Sequence, residues 1–302
     1  MNIAILGFGT VGSGVYEVAG KNGINVKRAL DIKDFEGDLF TKNFNDILYD
    51  PEIGIIVESI GGLEPAYEYT KAALTRGKSV VSSNKELVAA RGAELSEIAA
   101  ANNVYYLFEA SVGGGTPVIR PLRQCLAANR ITEIYGILNG TANYILTRMA
   151  KHGESFATAL ADAQAKGYAE LDPAADVEGR DTCRKIAILA SLAFGKAVSC
   201  DDIPVEGITR LAAEDIRRAE ASGSAIKLIG RAKEIDGEIR CEVKPELIPL
   251  TNPLANINYV FNAIVIRGDS VGEVMFCGPG AGKLPTASAV MADVIEIMNK
   301  QN

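Results

Sequence analysis

Gly7-Phe8-Gly9-Thr10-Val11-Gly12 follows directly on the apolar run Ile3-Ala4-Ile5-Leu6 and opens a segment of helical periodicity. Glycines at this spacing between a strand and a helix point to the first turn of a βαβ unit that binds a dinucleotide. Gly7 permits the tight turn, Gly9 the close approach of a pyrophosphate, and Gly12 the packing of helix on strand. The phosphates then face unpaired N–H groups at the helix start. An ordinary tight turn is the competing reading, and the flanking strand and helix weigh against it. About twenty residues past the last glycine, Asp31 ends the second apolar run, where a carboxylate accepts from ribose hydroxyls; this favours NAD over NADP. Lys27, Arg28 and Lys33 are near enough in sequence to hold a 2′-phosphate, and an exposed Asp in a turn reads alike, so the choice of nucleotide stays open.

Short apolar runs alternate with amphipathic stretches through residue 112, the pattern of a parallel sheet covered by helices. Strands are expected near 2–6, 24–30, 53–59, 78–82 and 104–110, with helices at 12–20, 64–76 and 85–101. The fold class is therefore α/β: an N-terminal Rossmann-like, doubly wound sheet plus a second, α+β domain. The texture changes at Gly113-Gly114-Gly115-Thr116-Pro117, where Thr116 is an N-cap candidate and Pro117 a first helical residue. A strand follows at 131–138, then helices near 141–152, 155–167, 178–194 and 206–222, then an antiparallel meander over 225–276 divided by Asp236-Gly237, Asn252-Pro253 and Gly268-Asp269. A last helix, about 283–302, is expected to return to the dinucleotide domain 1–112, leaving 113–282 as the second domain. A cleft between the domains is the natural place for a small ligand.

A net charge of −7 leaves no basic face for nucleic acid. No apolar run approaches the roughly 20 residues of a membrane helix, and the N-terminus does not read as a signal peptide. The 5 cysteines are scattered, with no CxxC pair, so a cytoplasmic, thiol-bearing chain is expected. Proton chemistry must come from lysine or carboxylate, because the single histidine, His152, reads as a solvated helix end. The densest charged cluster is Gly167-Tyr168-Ala169-Glu170-Leu171-Asp172-Pro173 followed by Asp176, Glu178, Arg180, Asp181, Arg184 and Lys185. On a helix Asp181 and Lys185 stand at i and i+4. An exposed pair of modest worth, roughly 0.3–0.5 kcal/mol, is one reading. The other makes Lys185 a proton-transfer group. Lysines of ordinary pKa, about 10.4, are neutral roughly one time in a thousand near pH 7, so as bases they are handicapped by about 4 kcal/mol, and as donors they are not.

Across nearly its whole length the chain resembles homoserine dehydrogenase. The matching stretches are Gly7 to Gly12, Ser82-Ser83-Asn84-Lys85, Glu109 to Pro117, Asn139-Gly140-Thr141-Ala142-Asn143-Tyr144, Gly167 to Pro173, Asp176 to Asp181, and Gly278 to Gly282. The resemblance implies NAD(P)H-dependent reduction of L-aspartate 4-semialdehyde to L-homoserine, and the reverse, in threonine and methionine biosynthesis. It makes Lys185 the proton donor, Glu170 and Asp181 ligands of the substrate, and Lys85 a neighbour of nicotinamide and substrate, with Tyr168, Thr141 and Asp176 close by. Thr10, Val11, Lys85 and Gly280 join Gly7, Gly9, Gly12 and Asp31 at the cofactor. Oxygens of Glu109, Val112, Gly114 and Thr116 match a monovalent-cation site, usually sodium, although a glycine hinge would read the same. A homodimer formed through the second domain is also implied.

Leu30 stands where NADP-preferring relatives commonly carry arginine, and no residues follow Asn302 to form a regulatory domain, so threonine feedback through one is not expected. Two other readings compete. A semialdehyde dehydrogenase of the acyl-phosphate type needs a thiolate, whereas Cys125 and Cys183 read as small core residues. A non-catalytic nicotinamide sensor would keep the fold without the chemistry.

Overall fold

The computed structural model describes residues 1–301 and divides into two compact units, Met1–Pro117 with the chain from Ala281 onward, and Val118–Gly280. The glycine-rich turn thus belongs to the first unit, with the change of unit at 117/118 in place of the expected 112/113. The first unit runs β1 (Asn2–Leu6), α1 (Thr10–Lys21), β2 (Val26–Leu30), β3 (Phe40–Thr41), α2 (Asn45–Leu48), β4 (Ile53–Glu58), α3 (Ala66–Thr75), β5 (Ser79–Ser82), α4 (Lys85–Ala101) and β6 (Tyr106–Leu107). All neighbouring strands are parallel, in the order β3-β2-β1-β4-β5-β6. Ile3, Ala4, Ile5 and Leu6 are fully buried, which is why β1 is an unbroken apolar run and lies mid-sheet. Strand order reverses between β1 and β4, so their carboxyl ends open the crevice where doubly wound sheets bind ligands.

The second unit contains β7 (Ile131–Ile137), α5 (Gly140–His152), α6 (Phe156–Ala165), α7 (Ala174–Val177), α8 (Arg180–Phe194), α9 (Ala213–Ala221), β8 (Ser224–Ile235), β9 (Glu238–Pro249), β10 (Phe261–Gly268) and β11 (Gly272–Pro279). Its sheet is antiparallel throughout, in the order β11-β10-β7-β8-β9. α8 lies against β8 at Gly230, where an added Cβ would stand 2.9 Å from Thr182 Cγ2 and 3.2 Å from Ile186 Cβ. That bare position brings the helix bearing Asp181 and Lys185 down onto the sheet. Finally α10 (Lys283–Gln301) returns to the first unit, burying Ala287, Val290, Met291, Val294 and Ile297 in the same core as Ile3, Ile5, Val15 and Val57. Among the described residues no helix is long and apolar enough to cross a membrane.

Three local expectations are corrected. Residues 206–212 are not helical: Val205 bridges Val243, the Glu206 N–H donates to the Val243 carbonyl at 2.7 Å, and Gly207 lies so close to the Val177 carbonyl that a Cβ would come within 2.3 Å. That strand-like contact outweighs the helical pattern, so α9 starts only at Ala213. Thr116 and Pro117 do not begin a helix; the turn closes on itself through Thr116 N–H to Gly113 carbonyl at 2.8 Å, and helical bonding resumes at Ile119, passing into a π-helical turn at Pro121–Cys125. Cys125 is exposed, not a core residue.

Candidate active site

β1 delivers the chain into Gly7 at φ +87°, in the left-handed region that favours glycine. A Cβ on Gly7 would meet the Ser59 carbonyl oxygen at 2.7 Å, and one on Gly12 would meet the Gly7 carbonyl oxygen at 1.9 Å. Around Gly9, by contrast, a Cβ would have nothing within 4 Å. Gly9 is the N-cap of α1, with no side-chain cap and no acidic residue in the first turn. The helix start therefore presents backbone N–H groups and partial positive charge beside open space, the cradle a pyrophosphate needs. Asp31 is drawn to this turn. Its Oδ2 accepts from the Phe8 N–H at 2.6 Å and its Oδ1 from the Lys33 N–H at 2.9 Å, so both oxygens are oriented and each keeps a lone pair.

A buried carboxyl that the sequence reading did not single out sits at the end of β4. Glu58 is fully buried; it accepts from Ser82 Oγ at 2.6 Å and from the Ile60 N–H at 2.9 Å. Burial pushes its carboxyl above the usual carboxylate range, and the hydrogen bonds from Ser82 and Ile60 only partly oppose this. Ser82 Oγ in turn accepts from the Asn84 N–H at 3.1 Å, and Asn84 Oδ1 caps α4 through the Leu87 N–H at 3.1 Å. Lys85, the first residue of α4, is thus set by a chain of bonds running back to Glu58. Its only signal in the sequence is an acid ending an otherwise apolar strand.

In the glycine-rich turn, Gly113 and Gly114 have φ of +77° and +56°, Glu109 and Thr116 are buried, and Thr116 Oγ1 has no hydrogen-bond partner among the described residues. A buried hydroxyl oxygen without a partner, in a turn seven residues past a buried glutamate, is the kind of ligand a small hard cation takes.

In the second unit Asp181 and Lys185 form a buried ion pair, 2% and 8% exposed, with Nζ 2.8 Å from Oδ2. The exposed-pair reading is overturned. Lys185 Nζ also donates to the Leu138 carbonyl at 2.7 Å. An ammonium has three protons, so two are committed to fixed acceptors and the third can meet a ligand. Asp181 lies in the first turn of α8, where the helix dipole favours a carboxylate. Asn139, just past β7, donates from Nδ2 to Asp181 Oδ2 and to Asp176 Oδ1, both at 2.7 Å, while its Oδ1 caps α5 through the Ala142 N–H at 2.7 Å. One amide thereby holds two carboxylates side by side. Sequence reasoning gave Asn139 no role, because an N-cap asparagine looks the same with or without a second task.

Thr141, in the first turn of α5, donates to the Tyr168 carbonyl at 2.6 Å, and the Tyr168 ring lies 5.0 Å from that of Tyr144. Glu170 is exposed in the same loop, its carbonyl accepting from Gln164 at 3.1 Å. The second unit therefore gathers Asp176, Asp181 and Lys185 around Asn139 and ties Thr141 to the loop of Tyr168 and Glu170. Cys183 is buried and donates toward the Cys200 carbonyl at 3.6 Å; the adjacent Cys200 thiol and burial push its own thiol up, which does not suit a nucleophile. His152 is an exposed residue at the end of α5.

Residues 7–109 match the family described as homoserine dehydrogenase, NAD binding domain, and residues 117–295 that described as homoserine dehydrogenase. The homoserine dehydrogenase of Synechocystis sp. is 45% identical over 99% of this chain and 73% of its own length. The crystal structure of a homoserine dehydrogenase from Thiobacillus denitrificans superposes with a TM-score of 0.95 at 43% identity, covering 98% of this chain and 73% of that one. A hyperthermophilic archaeal homoserine dehydrogenase solved in complex with NADPH gives a TM-score of 0.85 at 31% identity, covering 99% and 98%.

Proposed function

Because the chain belongs to the homoserine dehydrogenase family, the NAD(P)-dependent oxidoreductases that interconvert L-aspartate 4-semialdehyde and L-homoserine, we propose that Lys185 is the proton donor in this reaction. The buried Asp181–Lys185 pair carries the reading. Nicotinamide, when bound, supplies the hydride that reaches the aldehyde carbon. Lys185 gives a proton from Nζ to the aldehyde oxygen as negative charge develops there, and regains one from solvent. Asp181 and Glu170 hold the substrate's polar groups, and Asp176, Thr141 and Tyr168 line its place. Lys85 polarises or attracts the reacting end. A non-catalytic sensor has no use for a lysine fixed at two points inside a core.

The cofactor lies along Gly7, Gly9, Thr10, Val11 and Gly12, with Lys85 and Gly280 as further contacts, and NAD is preferred over NADP. Support comes from the segment Asp31–Asp38, where Asp31, Asp34, Glu36 and Asp38 would repel a 2′-phosphate. Two of the three nearby cations are committed: Lys27 is 2.7 Å from Asp50 Oδ2, and Arg28 donates to the Asp38 carbonyl. We expect kcat/KM with NADH to exceed that with NADPH by at least about tenfold, a difference near 1.4 kcal/mol. Steady-state oxidation of each cofactor with aspartate semialdehyde tests both claims. Equal rates would remove the NAD preference, and no turnover with either would remove the enzymatic reading. The same assay in sodium chloride against choline chloride at equal ionic strength tests a sodium ion held by Glu109, Val112, Gly114 and Thr116; identical rates and melting curves would reject it.

The protein is a cytoplasmic homodimer paired through its second unit. Free thiols at all five cysteines suit that compartment, and the exposed Phe261 and Met275, on the paired strands β10 and β11, are apolar surface that a second copy would cover. Light scattering is expected to give twice the chain mass, and a monomer across the micromolar range would refute the pairing.

A further inference from the structure

Asn262 is a fully buried amide on β10, in a row with Ile264 and Ile266 on the same face. The pairing Ala263↔Ile137 sets it opposite the end of β7, and its Nδ2 donates to the Leu138 carbonyl at 3.0 Å. Only the amide nitrogen can face a carbonyl oxygen, so the orientation of the side chain is decided by its partner. The same oxygen receives Lys185 Nζ at 2.7 Å. Both lone pairs of one carbonyl are thereby used, one by the amide and one by the ammonium. The far side of the amide is equally constrained: a Cβ on Gly280 would stand 2.2 Å from Asn262 Oδ1, so the glycine backbone rests directly on it. That oxygen has no hydrogen-bond partner among the described residues. A buried polar atom left so is a cost to folding, and in native proteins such a cost calls for a reason.

We propose that Asn262 is a positioning residue for Lys185. By holding the Leu138 carbonyl it fixes the acceptor that aims the ammonium, and by carrying Gly280 on its other side it ties that aim to the backbone of the Gly278–Gly282 stretch. The proposal deepens the reading of Lys185 as proton donor and rests on it. Leucine matches asparagine in size but cannot donate to the Leu138 carbonyl, and it also removes the unpartnered oxygen.

The test compares the unaltered protein, Asn262→Leu, Lys185→Ala and the double variant by steady-state kinetics, thermal melting and NMR of protein carrying carbon-13 at the lysine ε position, with the Lys185 resonance assigned by its loss in Lys185→Ala. Asn262→Leu is expected to melt no lower than the unaltered protein, to lose at least about tenfold in kcat with KM for NADH within about twofold, and to move the Lys185 ε-carbon resonance. The double variant is expected to be no slower than Lys185→Ala, the signature of one residue acting through the other. Should leucine fail to fold, Asn262→Ala carries the same comparison. An unmoved Lys185 resonance, or losses that multiply in the double variant, would overturn the proposal. An unaltered protein that turns over no semialdehyde, with the Lys185 resonance still moved by Asn262→Leu, would support the positioning and sink the enzymatic reading.

Discussion

Lys185→Ala is expected to lower kcat for aldehyde reduction by at least about a hundredfold, near 2.7 kcal/mol of barrier, with NADH affinity changed by less than about threefold. The loss falls on kcat because the proton is needed only as the alkoxide forms; a group that bound substrate and transition state alike would raise KM instead. The third proton of a lysine already committed to Asp181 and the Leu138 carbonyl is oriented before substrate arrives. Stability must be separated from this effect. Removing one member of a buried pair leaves the other uncompensated, at a cost of about 3–5 kcal/mol, and Asp181 is only 2% exposed. The combined variant Asp181→Asn, Lys185→Met removes both charges together and should melt closer to the unaltered protein while remaining as slow. Rates within about tenfold of the unaltered protein in folded Lys185→Ala would assign the proton to another group.

The glycine turn makes a second large prediction, in which two similar substitutions fail differently. At Gly12 the added Cβ meets the Gly7 carbonyl oxygen at 1.9 Å, so α1 must move off β1. Overpacking of this kind costs about 1–3 kcal/mol and sometimes more, and at the far end of that range Gly12→Ala melts at least roughly 5 °C lower. At Gly9 the same methyl group meets nothing within 4 Å. Gly9→Ala should therefore melt like the unaltered protein, yet bind NADH at least about thirtyfold more weakly, because the methyl occupies the approach of the pyrophosphate. Melting curves and NADH fluorescence titrations distinguish the two. Undiminished NADH binding by Gly9→Ala would show that the phosphates lie elsewhere.

The parts of the fold legible in the sequence were those where one physical signal dominates. β1 was evident because a mid-sheet parallel strand is apolar on both faces, and the glycine spacing has few other uses. The two-residue strand β3 was not, since Phe40 and Thr41 carry no periodicity and pair with β2 only through Ala29 and Leu30. The helix expected from 206 failed on a tertiary contact, the approach of Gly207 to the Val177 carbonyl, which no local pattern announces. In the candidate site, spacing placed Asp181 beside Lys185 but left their burial undecided; that depends on Gly230, 45 residues further on, letting α8 descend onto β8. Asn139, Asn262 and Glu58 act through hydrogen bonds between residues distant in sequence. An amide in a strand or at a cap looks the same whether or not such a bond exists.

The first unit is closed by the last helix of the chain. Val290, Met291 and Val294 of α10 share a core with Ile3 and Ile5 of β1, and Asp293 accepts from the Glu109 N–H at 2.8 Å. During synthesis the dinucleotide-binding half is thus begun before the second unit and completed after it. At about 5–20 residues per second, the stretch Val118–Gly280 occupies the ribosome for roughly ten to thirty seconds while the apolar face awaiting α10 stays uncovered. The later-made unit holds all its own strands in one continuous segment and is free to fold in that interval. Its early folding would keep the two ends of the first unit within reach of one another, so the order of synthesis bears on how the half that binds the nucleotide is assembled.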